Sequence, residues 1–202
     1  MTVDPTPDGA PDAREPAASD DRSNYDYVGG DVARPGLVAD LRDRLAGEVR
    51  FDAYTRQLYA TDASAYEVTP VGVVFPADTD DVATVVAYCA AREIPVLPRG
   101  GGTSLAGQAV NEAVVLDFTR YMDDVLAVEP DAREARVQAG TILADLNQQL
   151  APHDLKFAPD PAAGDRSAVG GAIGNNSTGS HSLQYGKTDA YVESCEVVLA
   201  DG

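Results

Sequence analysis

Basic residues are scarce in this 202-residue chain. Asp and Glu number 33 against 15 Lys and Arg, a formal net charge of −18. A nucleic-acid-binding surface needs Lys and Arg to neutralise phosphates, and so does docking on an anionic membrane, so both are excluded. Lysine is almost missing: Lys156 and Lys187 stand beside 13 arginines. Abundant carboxylates with almost no lysine predict a surface adapted to a salt-saturated, haloarchaeal type of cytoplasm, where self-repulsion is screened over a few ångströms. Cysteine is rare too. Cys89 and Cys195 make no disulfide framework and no C-x-x-C pair, so a reducing cytoplasm is expected. No apolar run approaches the ~20 residues of a membrane span.

The apolar fraction of 44% is enough for a packed core. The start, MTVDPTPDGAPDAREPAASDDRSNYD, has neither the basic nor the apolar region of a secretory signal. It is expected to be a disordered acidic tail over 1–35, because it cannot bury enough apolar surface to offset its ordering entropy. Only part of the acidity lies there, so the folded remainder is acidic as well.

Periodicity predicts helices over Leu37–Leu45, Phe51–Ala60, Val82–Arg92 and Thr141–Leu150. Strands are predicted at Val71–Phe75, Ile94–Leu97, Ala113–Leu116, Val125–Val128, Ala135–Ala139 and Val192–Leu199. The order strand–helix–strand from Val71 to Leu97 is that of a βαβ unit. The fold class is α+β.

Two glycine-rich segments carry the chemistry. The first, Pro98 to Gln108, follows a predicted strand and contains Gly100, Gly101, Gly102 and Gly107. Consecutive glycines let the backbone approach a ligand without Cβ obstruction, and their amides can form an anion-binding concavity. Thr103 and Ser104 add hydroxyls and Arg99 a positive charge, a set that suits a pyrophosphate. Neither a G-x-G-x-x-G register nor a Gly-Lys-Ser/Thr is present, so it is not a nicotinamide-type fingerprint or a Walker loop. The second, Pro159 to Gly186, is long for a structureless connection and is expected to be functional. Its Gly170-Gly171 pair suggests a chain passing close under an extended ligand, with Asn175, Asn176, Ser177 and Thr178 as hydrogen-bonding side chains.

The segments LYATDASAY (Leu58–Tyr66), VVFPADTDDVATVV (Val73–Val86), IPVLPRGGGTSLAGQAV (Ile94–Val110), VVLDFTRY (Val114–Tyr121), DPAAGDRSAVGGAIGNNSTG (Asp160–Gly179) and YGKTDAYVESCEVVLADG (Tyr185–Gly202) resemble, in order and spacing, the FAD-binding domain of the PCMH-type, vanillyl-alcohol-oxidase flavoproteins. The branch most similar is that of glycolate oxidase subunits and D-lactate dehydrogenases. The resemblance implies a two-subdomain PCMH-type fold over 36–202, with the small subdomain ending near Leu116 and the second subdomain incomplete. It implies that FAD is held by Arg99, Gly100, Gly101, Gly102, Thr103, Ser104 and Gly107 at the pyrophosphate. Asp160, Pro161, Gly170, Gly171, Asn175, Ser177, Gly179 and Tyr185 would lie along the ribityl chain and isoalloxazine. Covalent members place a histidine after the glycine triplet. Thr103 stands there, so non-covalent FAD is expected.

The activity implied is hydride transfer from a small 2-hydroxy acid, such as D-lactate or glycolate, to flavin N5, the chemistry being the cofactor's. The resemblance also implies a missing C-terminal substrate domain, with a possible iron–sulfur segment, that holds the catalytic residues. The electron acceptor is left open. Two alternatives stand beside this reading: a non-catalytic FAD- or nucleotide-binding module, and an alditol- or alcohol-oxidising branch of the same superfamily.

The remaining polar residues read as structural. His153 is expected at the surface and His181 in the second segment as a loop hydrogen-bonder; neither has a zinc-site partner. No G-x-S-x-G elbow supports a hydrolase. Cys89 and Cys195 are expected to pack in the core and in a strand. The acid pairs Asp80–Asp81 and Asp123–Asp124 are expected to be solvated or helix-start charge.

Overall fold

The computed structural model describes residues 36–202; the predicted tail over 1–35 lies outside them. A four-stranded sheet organises the first half, with strands β1 (Glu48–Arg50), β2 (Gly72–Phe75), β3 (Val96–Arg99) and β4 (Val114–Asp117) in the order β1-β2-β4-β3. β2 and β3 both run parallel to β4, and β1 runs antiparallel to β2. The predicted βαβ unit is present, but β4 inserts between its two strands. Every residue of β2 and β4 is buried, as expected of parallel strands covered on both faces.

Helices α1 (Leu37–Arg42) and α3 (Thr79–Ala90) cover one face of this sheet, while α2 (Ala53–Leu58) contacts β2. Leu37, Leu41, Val82, Val85 and Cys89 pack with Val74, Val114 and Leu116 in one core. On the other face, Val73, Phe75 and Val115 meet Tyr59 and Leu97. Each fully buried Val or Leu contributes roughly 1.5–3 kcal/mol through area removed from water.

Asp80 and Asp81 lie in the first turn of α3, the helix-start charge expected of the pair, and Asp78 caps the helix by accepting the Asp81 amide at 2.9 Å. Asp81 is buried rather than solvated, and its carboxylate accepts the amides of Ala46 (2.9 Å), Gly47 (2.8 Å) and Ala77 (2.8 Å). Asp81 thus ties the turn before β1 to the start of α3. The periodicity showed an acid pair but not which acid faced inward.

The second half contains a two-stranded antiparallel sheet, β5 (Val125–Glu129) and β6 (Glu134–Val137), followed by α4 (Leu143–Leu150) and a 3₁₀ turn over Ala151–His153. Leu143, Leu146 and Leu150 pack with Val169 and Ala172 in a second core. Val125, Val128 and Val137 of this small sheet pack against the second core, whereas Met122 belongs to the first.

Val192–Leu199 is not a strand. A β-rich segment needs a neighbour to take its backbone hydrogen bonds, and none pairs with it among the described residues. Val198 still packs on the first core, and the position of a Cβ on Gly202 lies 2.7 Å from the Ala87 Cβ on α3. Cys195 is exposed rather than packed in a strand, whereas Cys89 is buried as expected.

Candidate cofactor-binding site

The first glycine segment leaves the sheet at the C-terminal end of β3. The carbonyl of Arg99 accepts the Phe118 amide at 3.2 Å, and the ladder ends there. Among the described residues, the amides of Gly101, Gly102, Thr103 and Ser104 find no acceptor. Successive unpartnered amides on a partly exposed turn are the donor set that an anion would complete. Gly102 has φ +63°, a conformation that L side chains rarely adopt.

The glycine triplet is also pressed against the second segment. A Cβ on Gly100 would sit 2.7 Å from the Ala168 Cβ, and one on Gly101 only 1.7 Å from the Arg166 carbonyl oxygen. The hydroxyls of Thr103 and Ser167 are hydrogen-bonded at 3.0 Å. The Ser104 hydroxyl donates to Gln108 Oε1 and accepts the Ala106 amide at 3.3 Å and the Gln108 amide at 3.2 Å. Gly107, at φ +76°, lies against the Tyr66 ring.

Beneath the loop is a polar network that the sequence did not reveal. Arg99 Nη1 donates to the carbonyls of Tyr59 (3.2 Å) and Ala109 (2.8 Å), and Nη2 to that of Thr61 (2.9 Å). Its guanidinium lies 5.0 Å from the centre of the Tyr59 ring. The Tyr59 hydroxyl donates to the buried Asp117, whose other oxygen accepts the Thr119 amide and hydroxyl at 2.7 Å each. Burial, and then the Asp117 carboxylate, push the Tyr59 hydroxyl far above the ordinary tyrosine range. Burial opposes ionisation of Asp62, but hydrogen bonds from Ser64 and Ala109 and the charge of Arg99 outweigh it and hold its carboxyl low. A single carboxylate at the end of an apolar strand, as in VVLD, was the available signal for Asp117.

The second segment is helical at its glycine pair. Gly170, Gly171 and Gly174 lie in a short helix, α5 (Val169–Gly174), and a second, α6, spans Ser182–Tyr185. The Gly170 amide donates to the Ala139 carbonyl at 2.8 Å, and a Cβ there would lie 2.9 Å from that oxygen. Gly171 and Gly174 face open space. Asn175 follows as the C-cap of α5; Ser177 accepts both the amide (3.2 Å) and the hydroxyl (2.9 Å) of buried Thr188 through its carbonyl.

A separate cluster gathers around Asp160, which has φ +49°. Its carboxylate accepts Lys156 Nζ at 2.9 Å, and His181 Nδ1 lies 3.4 Å away. The Lys156 hydrogen bond holds the Asp160 carboxyl below its usual range. A Cβ on Gly179 would fall 2.0 Å from the Pro159 carbonyl oxygen and 2.1 Å from that of Asp160. Pro161 is half-buried, and its carbonyl accepts the Gly164 amide at 3.0 Å. The Tyr185 ring stands edge-on to His181 at 6.3 Å, and its carbonyl accepts the Tyr191 hydroxyl at 2.6 Å. His153 is exposed. Gly100–Thr103 and the turn before α5 are therefore packed against each other.

Among the described residues there is no metal-binding group of His, Cys, Asp and Glu, and no helix is long and apolar enough to cross a membrane. A parallel sheet ending in a glycine turn, with four amides that have no acceptor among the described residues, is an arrangement able to hold an anion at a strand end. A family model described as an FAD binding domain matches residues 70–202, and the chain belongs to that family. FAD is accordingly the cofactor. The chain is 40% identical over 172 residues to D-2-hydroxyglutarate dehydrogenase of Pseudomonas putida, an alignment covering 83% of this chain and 17% of that protein. It is 35% identical over 176 residues to glycolate oxidase subunit GlcD of Escherichia coli, covering 85% of this chain and 35% of that subunit. The chain thus spans about a sixth and about a third of these relatives. In fold, it is similar to alkyldihydroxyacetonephosphate synthase, with a TM-score of 0.71 at 23% identity over 84% of this chain and 34% of that one. The expected α+β, PCMH-type fold is thereby established.

Proposed function

We propose that this chain is the FAD-holding part of a dehydrogenase or oxidase that acts on a small 2-hydroxy acid. The unpartnered amides of residues 101–104 carry the reading: they offer an anion four donors on a turn already fixed by its neighbours. The printed names of the relatives, D-2-hydroxyglutarate dehydrogenase and glycolate oxidase, supply the substrate class.

The FAD diphosphate would rest on the turn from Gly100 to Ser104, with Gly107 closing it. The hydroxyls of Thr103 and Ser167 face each other across the junction with the second segment and can each turn toward an oxygen. Gly170, Gly171, Asn175, Ser177, Gly179, Asp160, Pro161 and Tyr185 would line the remainder of the cofactor. Bound flavin supplies the hydride-accepting chemistry. The part played by this chain is binding, orientation and exclusion of water. Thr103 cannot form the histidyl bond of covalent relatives, so the cofactor is held non-covalently.

The acidic surface belongs to the same reading. With −18 net charge, long-range electrostatics oppose an anionic cofactor, so local donors must bind it. Concentrated salt, as in a halophile cytoplasm, screens the surrounding carboxylates and strengthens binding.

The test is direct. The chain is purified in concentrated salt, loaded with FAD and desalted, and its visible spectrum is recorded. Flavin bands near one equivalent, with affinity rising as salt is raised, are the expected result. A colourless folded protein, or affinity that falls with salt, would refute the reading. Anaerobic bleaching by D-lactate, glycolate or D-2-hydroxyglutarate, in the chain joined to whatever follows it, then tests the substrate class.

A further inference from the structure

Arg99 was expected to meet the cofactor's phosphates. The structure puts its guanidinium to another use. Three donors reach three carbonyls on two different segments: Tyr59 and Thr61 after α2, and Ala109 at the far end of the loop. Gly102 closes over this group, for the position of its absent Cβ is only 2.5 Å from Nη2. The Gly102 carbonyl in turn accepts the Ala63 amide at 3.1 Å. Asp62, between these carbonyls, accepts the Ala109 amide at 3.3 Å.

We infer that Arg99 is a positioning residue: it clamps residues 59–61 to residue 109 and so presets the turn whose free amides receive the diphosphate. The inference rests on the cofactor reading for its functional consequence, but not for the clamp itself. Two physical facts favour a clamp over a ligand. A planar guanidinium with donors in a fixed fork can span several carbonyls at once, which an ammonium on a flexible stem cannot. The amides at 101–104, without acceptors among the described residues, have no hydrogen bonds of their own to fix the turn, so the contacts at its two ends must hold it. Pre-organisation of this kind lowers the ordering entropy lost on binding, so it raises affinity without touching the ligand.

The two roles predict different behaviour for Arg99→Lys and Arg99→Gln. A phosphate ligand is largely replaced by lysine, which keeps the charge, and not by glutamine. A clamp is replaced by neither. The expected result is that both variants lose FAD affinity to a similar degree, by about tenfold or more, since several charge-assisted hydrogen bonds go. In the chain without FAD, amide hydrogen exchange at Ala63 and Ala109, whose amides are bonded to the Gly102 carbonyl and the Asp62 carboxylate, should rise in both variants. Exchange at Val74 and Val115, in the buried strands, should stay at the wild-type rate, which separates a loop effect from general unfolding. Near-wild-type affinity in Arg99→Lys, or unchanged loop exchange in both variants, would overturn the inference. If the wild-type chain takes up no FAD, the cofactor reading fails. The exchange measurement still decides the clamp, because it involves no ligand.

Discussion

The two glycine-rich segments look alike in sequence and are built differently. In the first, Gly100, Gly101, Gly102 and Gly107 all lie against other atoms of the protein: Ala168, the Arg166 carbonyl, the Arg99 guanidinium and the Tyr66 ring. In the second, Gly170 and Gly179 are equally hemmed in, but Gly171 and Gly174 have nothing within 4 Å. A glycine therefore means two things here. Where a neighbouring backbone occupies the Cβ position, glycine lets two chains touch and so shapes the site. Where that position is empty, glycine leaves surface that the protein itself does not use.

Gly101→Val breaks the first kind of contact most severely, because its Cβ would fall inside the Arg166 carbonyl. Flavin retention should fall by about 100-fold or more, with a stability loss of about 3 kcal/mol from forced separation of the two segments. Fluorescence titration of FAD and thermal unfolding measure the two effects, and wild-type values for both would refute the contact.

Gly179→Ala tests the same principle in the second segment. Its methyl would overlap the carbonyls of Pro159 and Asp160, so the cost should be about 1–3 kcal/mol in urea unfolding. Gly171→Ala is the contrasting case. Its methyl meets open space within α5, so the substitution should stabilise the chain by about 0.5–1 kcal/mol. If FAD affinity drops while stability rises, the cofactor lies against that open face; unchanged affinity would place it elsewhere.

The smallest effect is electrostatic. The Asp160 carboxyl titrates below its ordinary value because Lys156 donates to it. A depressed carboxylate stabilises the folded chain above its unfolded value, about 3.9, and this contribution is lost as pH falls through the folded value. The pair is partly exposed, so the effect is modest. Asp160→Asn should lower the melting temperature slightly at pH 6, and the difference should close as pH falls through the depressed folded value. A gap that persists at low pH would assign the effect to the strained backbone at that position instead.

Much of the architecture was legible in the sequence. The β-branched runs Val71–Phe75 and Ala113–Leu116 marked the strands that became β2 and β4, and the spacing of Val82, Val85 and Cys89 marked α3. The first glycine segment was located by residue type alone, because a run of glycines beside a strand end has few structural alternatives. Three features were not legible, each for its own reason. Val192–Leu199 has strand composition but pairs with no neighbour among the described residues, and a ladder is a property of two segments. Asp81 and Asp80 are alike in sequence, and only the approach of Ala46 and Gly47 turns one of them inward to accept three amides. The carbonyls that Arg99 meets, those of Tyr59, Thr61 and Ala109, are brought to it only by the fold.

What the sequence determined by itself is local and compositional: the donor types at the first glycine turn, the excess of acidic residues and the lack of a histidine after the triplet. These follow from residue identity and short-range spacing. The tertiary structure alone decided how those residues are used. It set the two glycine segments against each other, committed Arg99 to carbonyls 38 to 40 residues earlier in the chain, and left the amides of 101–104 without acceptors among the described residues. The physical reason is that hydrogen-bond satisfaction and close approach depend on which distant segments share a neighbourhood, and composition carries no record of that.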